Sequence, residues 1–215
     1  MKFFQYGKKE TEYLSRKDHR LDRIIQKKPF IARERDEDIF SCLCHYIIGQ
    51  QISSSAQASV YTKRKKRVGK VSPESVILLS SSSLYSCGRN KRKAENILSL
   101  AAKIVCHQLD LDLLKKKDDE EVIKELTSLS GVGTWTAERV LLFSRNRRDV
   151  FSPFDYGIIR GMKMVYHHRK ITQQMFNRYK KRFSPYGSVA SLYFWTVSSG
   201  DISLDDNTIA NNGNA

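Results

Sequence analysis

The sequence predicts an all-α fold. Apolar residues recur with the helical period along most of the chain, sustained two-residue alternation is missing, and no Asn-Gly turn joins two alternating runs. Ile39, Leu43, Tyr46 and Ile47 fall on one helical face, and Ala94, Ile97, Leu98, Ala101 and Val105 on another. Val122, Leu126 and Leu129 mark a third stripe, and Val189, Leu192, Tyr193 and Thr196 a fourth. Short connections between such stripes give about ten helices. Local punctuation agrees. Ser72-Pro73-Glu74 reads as an N-cap, a proline at the first helical position and an acidic first turn. Ser53 to Ser55 offer N-caps for a helix running into Tyr61, Ser80 to Ser83 make a polar break, and Gly88 ends a helix. From Gly200 the chain is polar and aperiodic, which predicts a frayed or disordered tail.

With 215 residues the chain is long enough for one domain or two small lobes, and neither an internal repeat nor a long linker interrupts it. Lys and Arg number 38 against 23 Asp and Glu, a formal charge of +15. That excess favours a polyanionic partner, nucleic acid first and an acidic membrane second; the plain alternative is solubility. No run approaches the roughly 18 apolar residues of a membrane span, and the N-terminus lacks a secretory pattern, so an intracellular soluble protein is expected. Cys42, Cys44, Cys87 and Cys106 fit no zinc or cluster spacing, and His167-His168 has no ligand partner at metal spacing. No metal site is expected from these residues.

Two stretches carry chemistry. In LSGVGTWTAERVLLF, residues 129–143, one helix stops at Ser130 and another starts at Thr134, with Gly131 and Gly133 between them. Unpaired N–H groups at the new N-terminus form an anion site, and glycine lets a phosphate approach. The plain alternative is a turn that merely needs glycine. Between two amphipathic helices the pattern reads as a helix–hairpin–helix, which grips the DNA backbone without reading sequence. In DVFSPFDYGIIRGM, residues 149–162, Ser152-Pro153 signals a helix start and puts Asp155 at or just before the first turn. There it serves as a cap, or as a fixed anion for a developing sugar cation. Lys63-Arg64-Lys65-Lys66-Arg67 reads as solvated surface, a localisation-like run or a phosphate contact. Tyr186, Tyr193, Phe194 and Trp195 crowd one C-terminal helix, where core packing is the default and a few rings are free to line a pocket.

Together these stretches resemble the helix–hairpin–helix and aspartate signature of base-excision DNA glycosylases, in particular the AlkA-type, or 3-methyladenine, branch. EYLSRKDHRLDRII, DIFSCLCHYIIGQQISSSAQASV, CGRNKRKAENILSLA, the hairpin and PYGSVASLYFW follow in that family's order. The N-terminal β-rich domain of some members is missing, so the chain resembles the compact form. The resemblance implies a two-lobed helical fold with the active site in an inter-lobe cleft. One lobe would span 39–147, with the hairpin at about 120–143; the other would combine 1–38 with 148–200, and 201–215 would be a disordered tail. It implies Asp155 as the catalytic carboxylate, with Trp135, Tyr186 and Trp195 in the substrate pocket. Gly131, Gly133 and Thr134 would hold DNA, as would Gln50, Gln51 and Ser53, the two glutamines matching the turn that fills the gap left by a flipped nucleotide. Arg139 stands where certain relatives carry a pocket aromatic.

The activity implied is removal of an alkylated purine from double-stranded DNA by hydrolysis of its N-glycosidic bond. Trp135 replaces the lysine that lyase-competent relatives use, so the strand would stay intact. The four-cysteine cluster of the endonuclease III and adenine-mismatch branches is missing, which excludes them. Two alternatives stay open: a non-catalytic DNA-binding or lesion-sensing module, and a glycosylase for oxidised or deaminated bases. No cofactor is required; the resemblance allows a structural monovalent or divalent cation at the hairpin. A monomer in the cytoplasm or nucleoid (the nucleus in a eukaryote), without membrane contact, is expected.

Overall fold

The computed structural model describes residues 2–50, 71–78 and 91–204. Gln51, Ser53, the helix expected from Ser53 to Tyr61, the Lys63–Arg67 run, the breaks at Ser80 to Ser83 and Gly88, and residues 205–215 lie outside the described residues. The fold is all-α. In chain order the described helices are α1 (Lys8–Lys17), α2 (His19–Lys27), α3 (Ile39–Gly49), α4 (Pro73–Ile77), α5 (Lys91–Val105) and α6 (Leu111–Leu114). They continue as α7 (Asp119–Thr127), α8 (Thr134–Phe143), α9 (Tyr156–Tyr166), α10 (Gln173–Phe183) and α11 (Gly187–Ser199). Among the described residues the strands are two dipeptides, β1 (Lys2–Phe3) and β2 (Glu34–Arg35), paired with each other.

The chain divides into two compact units. One is contiguous, Arg35–Arg145; the other joins Met1–Glu34 to Asn146–Ala215. In the contiguous unit the helix starts are written locally. Asp38 caps α3 by accepting from the Ser41 N–H at 2.9 Å, and Ser72 caps α4 in a reciprocal box with Ser75. Asp118 and Glu121 form the same kind of box at α7, whose first turn also carries Asp119 and Glu120 against the positive end of the helix dipole. The apolar stripes of these helices meet in a core that includes Leu43, Ile47, Ala101, Leu126, Ala137 and Val140, all essentially inaccessible to solvent.

The split unit is built around α11. Every residue from Gly187 to Val197 is buried except Trp195, so this helix is apolar all round rather than striped. Its buried hydroxyls are satisfied nearby. Ser191 Oγ donates to the Gly187 carbonyl, Thr196 Oγ1 to the Leu192 carbonyl, and Ser188 Oγ to the Arg147 carbonyl while accepting from the Val150 N–H. Phe151, Phe176, Phe183 and Phe194 pack ring against ring, with centroids 5.0–5.9 Å apart. Asp18 caps α2 through the Arg20 and Leu21 N–H groups, and its other oxygen takes the Arg182 guanidinium at 2.6 Å. The C-terminal residues begin differently from the disordered tail expected at 201. Ile202 is buried and the Ser203 carbonyl accepts from Lys27 Nζ at 2.8 Å, so residues 201–204 are held on the split unit.

Helices α9 and α11 cross closely because Gly161 has no side chain. A Cβ built there would lie 2.2 Å from the Phe194 carbonyl oxygen, a backbone atom with nowhere to go. Gly161→Ala is therefore expected to force the helices apart and destabilise the protein by about 2 kcal/mol, lowering Tm by roughly 4–8 °C. Scanning calorimetry checks this; an unchanged Tm means that the crossing is looser than described.

Candidate active site

Asp155 is the N-cap of α9, in extended backbone conformation, and 2% exposed. The preceding turn is fixed by Ser152, whose Oγ accepts from the Phe154 N–H at 3.2 Å. Asp155 Oδ1 accepts from the Ile158 N–H at 2.9 Å, which is the ordinary capping bond. The same oxygen accepts from the indole N–H of Trp195 at 2.8 Å. A cap needs no such second donor, and the donor comes from the one residue between Gly187 and Val197 that keeps access to solvent. Gly157 makes the approach feasible. A Cβ there would stand 2.8 Å from Trp195 Cδ1 and 3.3 Å from Asp155 Oδ1. The result is a buried carboxylate held in one orientation by two N–H donors, suited to facing positive charge that develops in front of it.

The hairpin lies in the contiguous unit, between α7 and α8. Its two glycines serve different purposes. Gly131 has φ +78°, and a Cβ there would meet the Asn96 side-chain nitrogen at 2.1 Å, so both conformation and space demand glycine. Gly133 has an ordinary extended backbone and nothing within 4 Å of the place a Cβ would occupy. It is the N-cap of α8, where no side chain caps the helix, and the helix continues through half-buried Thr134. This open, uncapped N-terminus is an anion site in the electrostatic sense.

The turn is braced from two sides. Gln50 Nε2 donates to the Gly131 carbonyl at 2.8 Å and to Thr136 Oγ1 at 3.0 Å, and Ser130 Oγ donates to Asn96 Oδ1 of α5 at 2.8 Å. Lys93 Nζ, also of α5, donates to the Ile48 carbonyl at 2.9 Å and to the Gln50 carbonyl, closing the end of α3. Partial burial pulls the Lys93 ammonium below the usual lysine range. Gln50, expected to face DNA, thus spends its amide nitrogen on the hairpin.

Trp135 is half-buried one residue into α8 and meets Tyr46 of α3 edge-on, 5.8 Å between centroids. Tyr46 in turn stacks on Phe143 at 5.7 Å. The Arg139 guanidinium sits over all three rings, 5.1 Å from Trp135, 5.8 Å from Tyr46 and 5.7 Å from Phe143. Arg139 therefore joins the aromatic group rather than replacing it. Tyr186 lies apart from Trp195. It is the N-cap residue of α11, its ring packs edge-on against Tyr13 at 5.1 Å, and nine residues of helix, about 13 Å, separate it from Trp195.

Among the described residues no three His, Cys, Asp or Glu converge on a metal position. A cation at the hairpin would need main-chain carbonyls. Those of Leu129 and Gly131 each accept one hydrogen bond, from the Val132 N–H and from Gln50, which leaves each oxygen a second lone pair. No helix among the described residues is long and apolar enough to cross a membrane.

A helix–hairpin–helix in one unit and a helix-capping, indole-bonded aspartate in the other define a class. Residues 44–185 match the HhH-GPD superfamily of base excision DNA repair proteins, and the chain belongs to that superfamily. Among its relatives, DNA-3-methyladenine glycosylase of Saccharomyces cerevisiae is 29% identical, covering 87% of this chain and 78% of the relative. DNA-3-methyladenine glycosylase 1 of Schizosaccharomyces pombe is 25% identical over 86% and 85%. The chain is also similar in structure to a DNA-3-methyladenine glycosidase from Bacillus halodurans, with a TM-score of 0.73, 30% identity and coverage of 92% and 93%. A Schizosaccharomyces pombe 3-methyladenine DNA glycosylase in complex with abasic DNA shares the fold, with a TM-score of 0.82 at 23% identity, over 91% of this chain and all of that one.

The contrast between the glycines is testable by thermal melting. Gly131→Ala should cost about 2 kcal/mol, from left-handed strain and the Asn96 clash, whereas Gly133→Ala should leave Tm nearly unchanged. Equal effects would contradict the division of roles.

Proposed function

We propose that the protein is a monofunctional DNA glycosylase that removes alkylated purines from double-stranded DNA. The observation that carries this reading is the buried Asp155 carboxylate, held by Ile158 and by the Trp195 indole. The open N-terminus of α8 at Gly133 and Thr134 would take a backbone phosphate, and the +15 charge supplies the non-specific attraction. The damaged nucleotide leaves the stack at a cost of a few kcal/mol, least where the lesion already pairs badly.

The chemistry follows from the leaving group. A purine methylated at a ring nitrogen carries positive charge while attached. Breaking the bond from C1′ to the base sends the electron pair to the base, which departs neutral and needs little acid assistance. The positive charge moves to the sugar, where the Asp155 carboxylate stabilises it. Water then adds to C1′ and gives up a proton, leaving an abasic site. No cofactor takes part. Trp135 has no amine and forms no Schiff base, so the strand is not cut. The reading needs only a monomer, acting wherever the DNA is: cytoplasm and nucleoid, or nucleus.

A second reading, a glycosylase for oxidised or deaminated bases, has one observation in its favour. Arg139 places a resident cation on the Trp135 face. That cation competes with a cationic base for the ring and favours a neutral base with carbonyl acceptors. Comparing 7-methylguanine with hypoxanthine in the same duplex separates the two readings.

Asp155→Asn is expected to slow base release from an alkylated duplex by at least about 10²–10³-fold while DNA affinity is retained. Full activity in that variant removes the role assigned to Asp155. Trp195→Phe, which deletes one donor, should slow single-turnover release by about tenfold with little change in affinity. Borohydride should trap no protein–DNA adduct; a trapped adduct contradicts the monofunctional assignment.

A further inference from the structure

Asp155 is 2% exposed, yet its two neighbours are the most exposed aromatic residues among the described ones, Phe154 at 67% and Tyr156 at 77%. Scattered exposed apolar residues are ordinary. Two large rings bracketing one buried carboxylate are a different arrangement, and the fold fixes the backbone that carries both. The Phe154 N–H is held by Ser152 Oγ, so the backbone that carries its ring is fixed. Tyr156 is the first residue of α9. The outward face of that helix then continues, at the i, i+4 and i+7 positions, through exposed Arg160 and half-buried Lys163. These lie about 6 and 10 Å down the helix axis from Tyr156. The opposite face, with Ile158, Met162 and Val165, is buried.

We infer that Phe154, Tyr156, Arg160 and Lys163 form a track for the lesion-bearing DNA strand: the two rings stack against bases or sugars beside the extruded nucleotide, and the two cations meet its neighbouring phosphates. The inference rests on the proposed function, since it is Asp155 that brings the target sugar to this place. Phe154 and Tyr156 each sit one residue from Asp155, so a strand that presents a C1′ to the carboxylate passes close to these rings. Aromatic faces accept any base, and a cation one helical turn on suits a backbone that carries one charge per nucleotide. The track supplies binding next to the reacting atoms without reading sequence, as a lesion in any context requires.

The test is fluorescence anisotropy on a labelled duplex containing a tetrahydrofuran abasic analogue, which binds without turnover. Phe154→Ala and Tyr156→Ala should each weaken binding about tenfold with the salt dependence unchanged, and Phe154→Trp should retain wild-type affinity. Arg160→Gln and Lys163→Gln should each lower the slope of log K against log salt by about 0.7–0.9. The five substitutions fall at four positions, three exposed and Lys163 half-buried, so thermal melts should match wild type and report folding independently. Wild-type affinity and slope in all the variants overturn the proposal. So does sedimentation showing that the alanine variants lose self-association instead of DNA binding. Base release by Asp155→Asn, measured alongside, separates the two claims. An active Asp155→Asn removes the proposed function, whereas an inactive Asp155→Asn with unaffected track variants removes only the track.

Discussion

One oxygen atom organises the split unit's chemistry. Asp155 Oδ1 caps the N-terminus of α9 and is also the acceptor of the Trp195 indole. The first bond comes with the fold, because a helix N-terminus needs an acceptor. The second requires α9 and α11 to lie close enough for an indole to reach across, and two glycines one turn apart provide that. Gly161 lets the α9 backbone approach Phe194, and Gly157 leaves room for the Trp195 ring beside the carboxylate. The buried aromatic core around Phe151, Phe183 and Phe194 holds α11 rigid beneath it. The carboxylate is thus oriented before any substrate arrives, which is what electrostatic stabilisation of a short-lived cation demands.

The hairpin of the contiguous unit follows a complementary design. There the useful groups are backbone N–H donors left open, and the surrounding side chains keep the backbone in place rather than contact a ligand. Gln50, Asn96 and Ser130 tie the turn to the end of α3 and to α5, Lys93 ties α5 to the end of α3, and a left-handed glycine stands at the point of closest approach. Rigid bracing suits a phosphate grip, since a flexible loop would lose entropy on each encounter.

Much of this was legible in the sequence, and the parts that were not share a cause. Helical period and capping are local, so the stripes of α3 and α7, the Ser72-Pro73 start of α4 and the position of Asp155 could be read from neighbouring residues, whereas α11 is buried all round and the α5 stripe leaves Val105 exposed. The Trp195 bond to Asp155 spans 40 residues and has no local signature. The roles of Gly157 and Gly161 were hidden for the same reason: their significance lies in what crosses them. Gly131 and Gly133 are equivalent in a G-x-G string, and the left-handed backbone of Gly131 and the neighbouring Asn96 tell them apart. Tyr186 and Trp195 stand nine residues apart in sequence, and helix geometry puts Tyr186 against Tyr13 at the other end of α11. Polarity alone predicts a loose tail, whereas buried Ile202 and the Lys27 bond to the Ser203 carbonyl hold residues 201–204. The membership in a base-excision superfamily, in contrast, was carried by motif order along the chain, which no tertiary detail is needed to see.

The central claim is that Asp155 is a preset anion for a cationic sugar. The most direct measurement compares affinity for two duplexes that differ only in charge at the reacting sugar, one with a neutral tetrahydrofuran site and one with a protonated pyrrolidine site. The wild-type protein should prefer the cationic site by about tenfold or more, and Asp155→Asn should abolish that preference while binding the neutral duplex as before. Equal affinity of the wild-type protein for both duplexes, or a preference that survives in Asp155→Asn, would contradict the account.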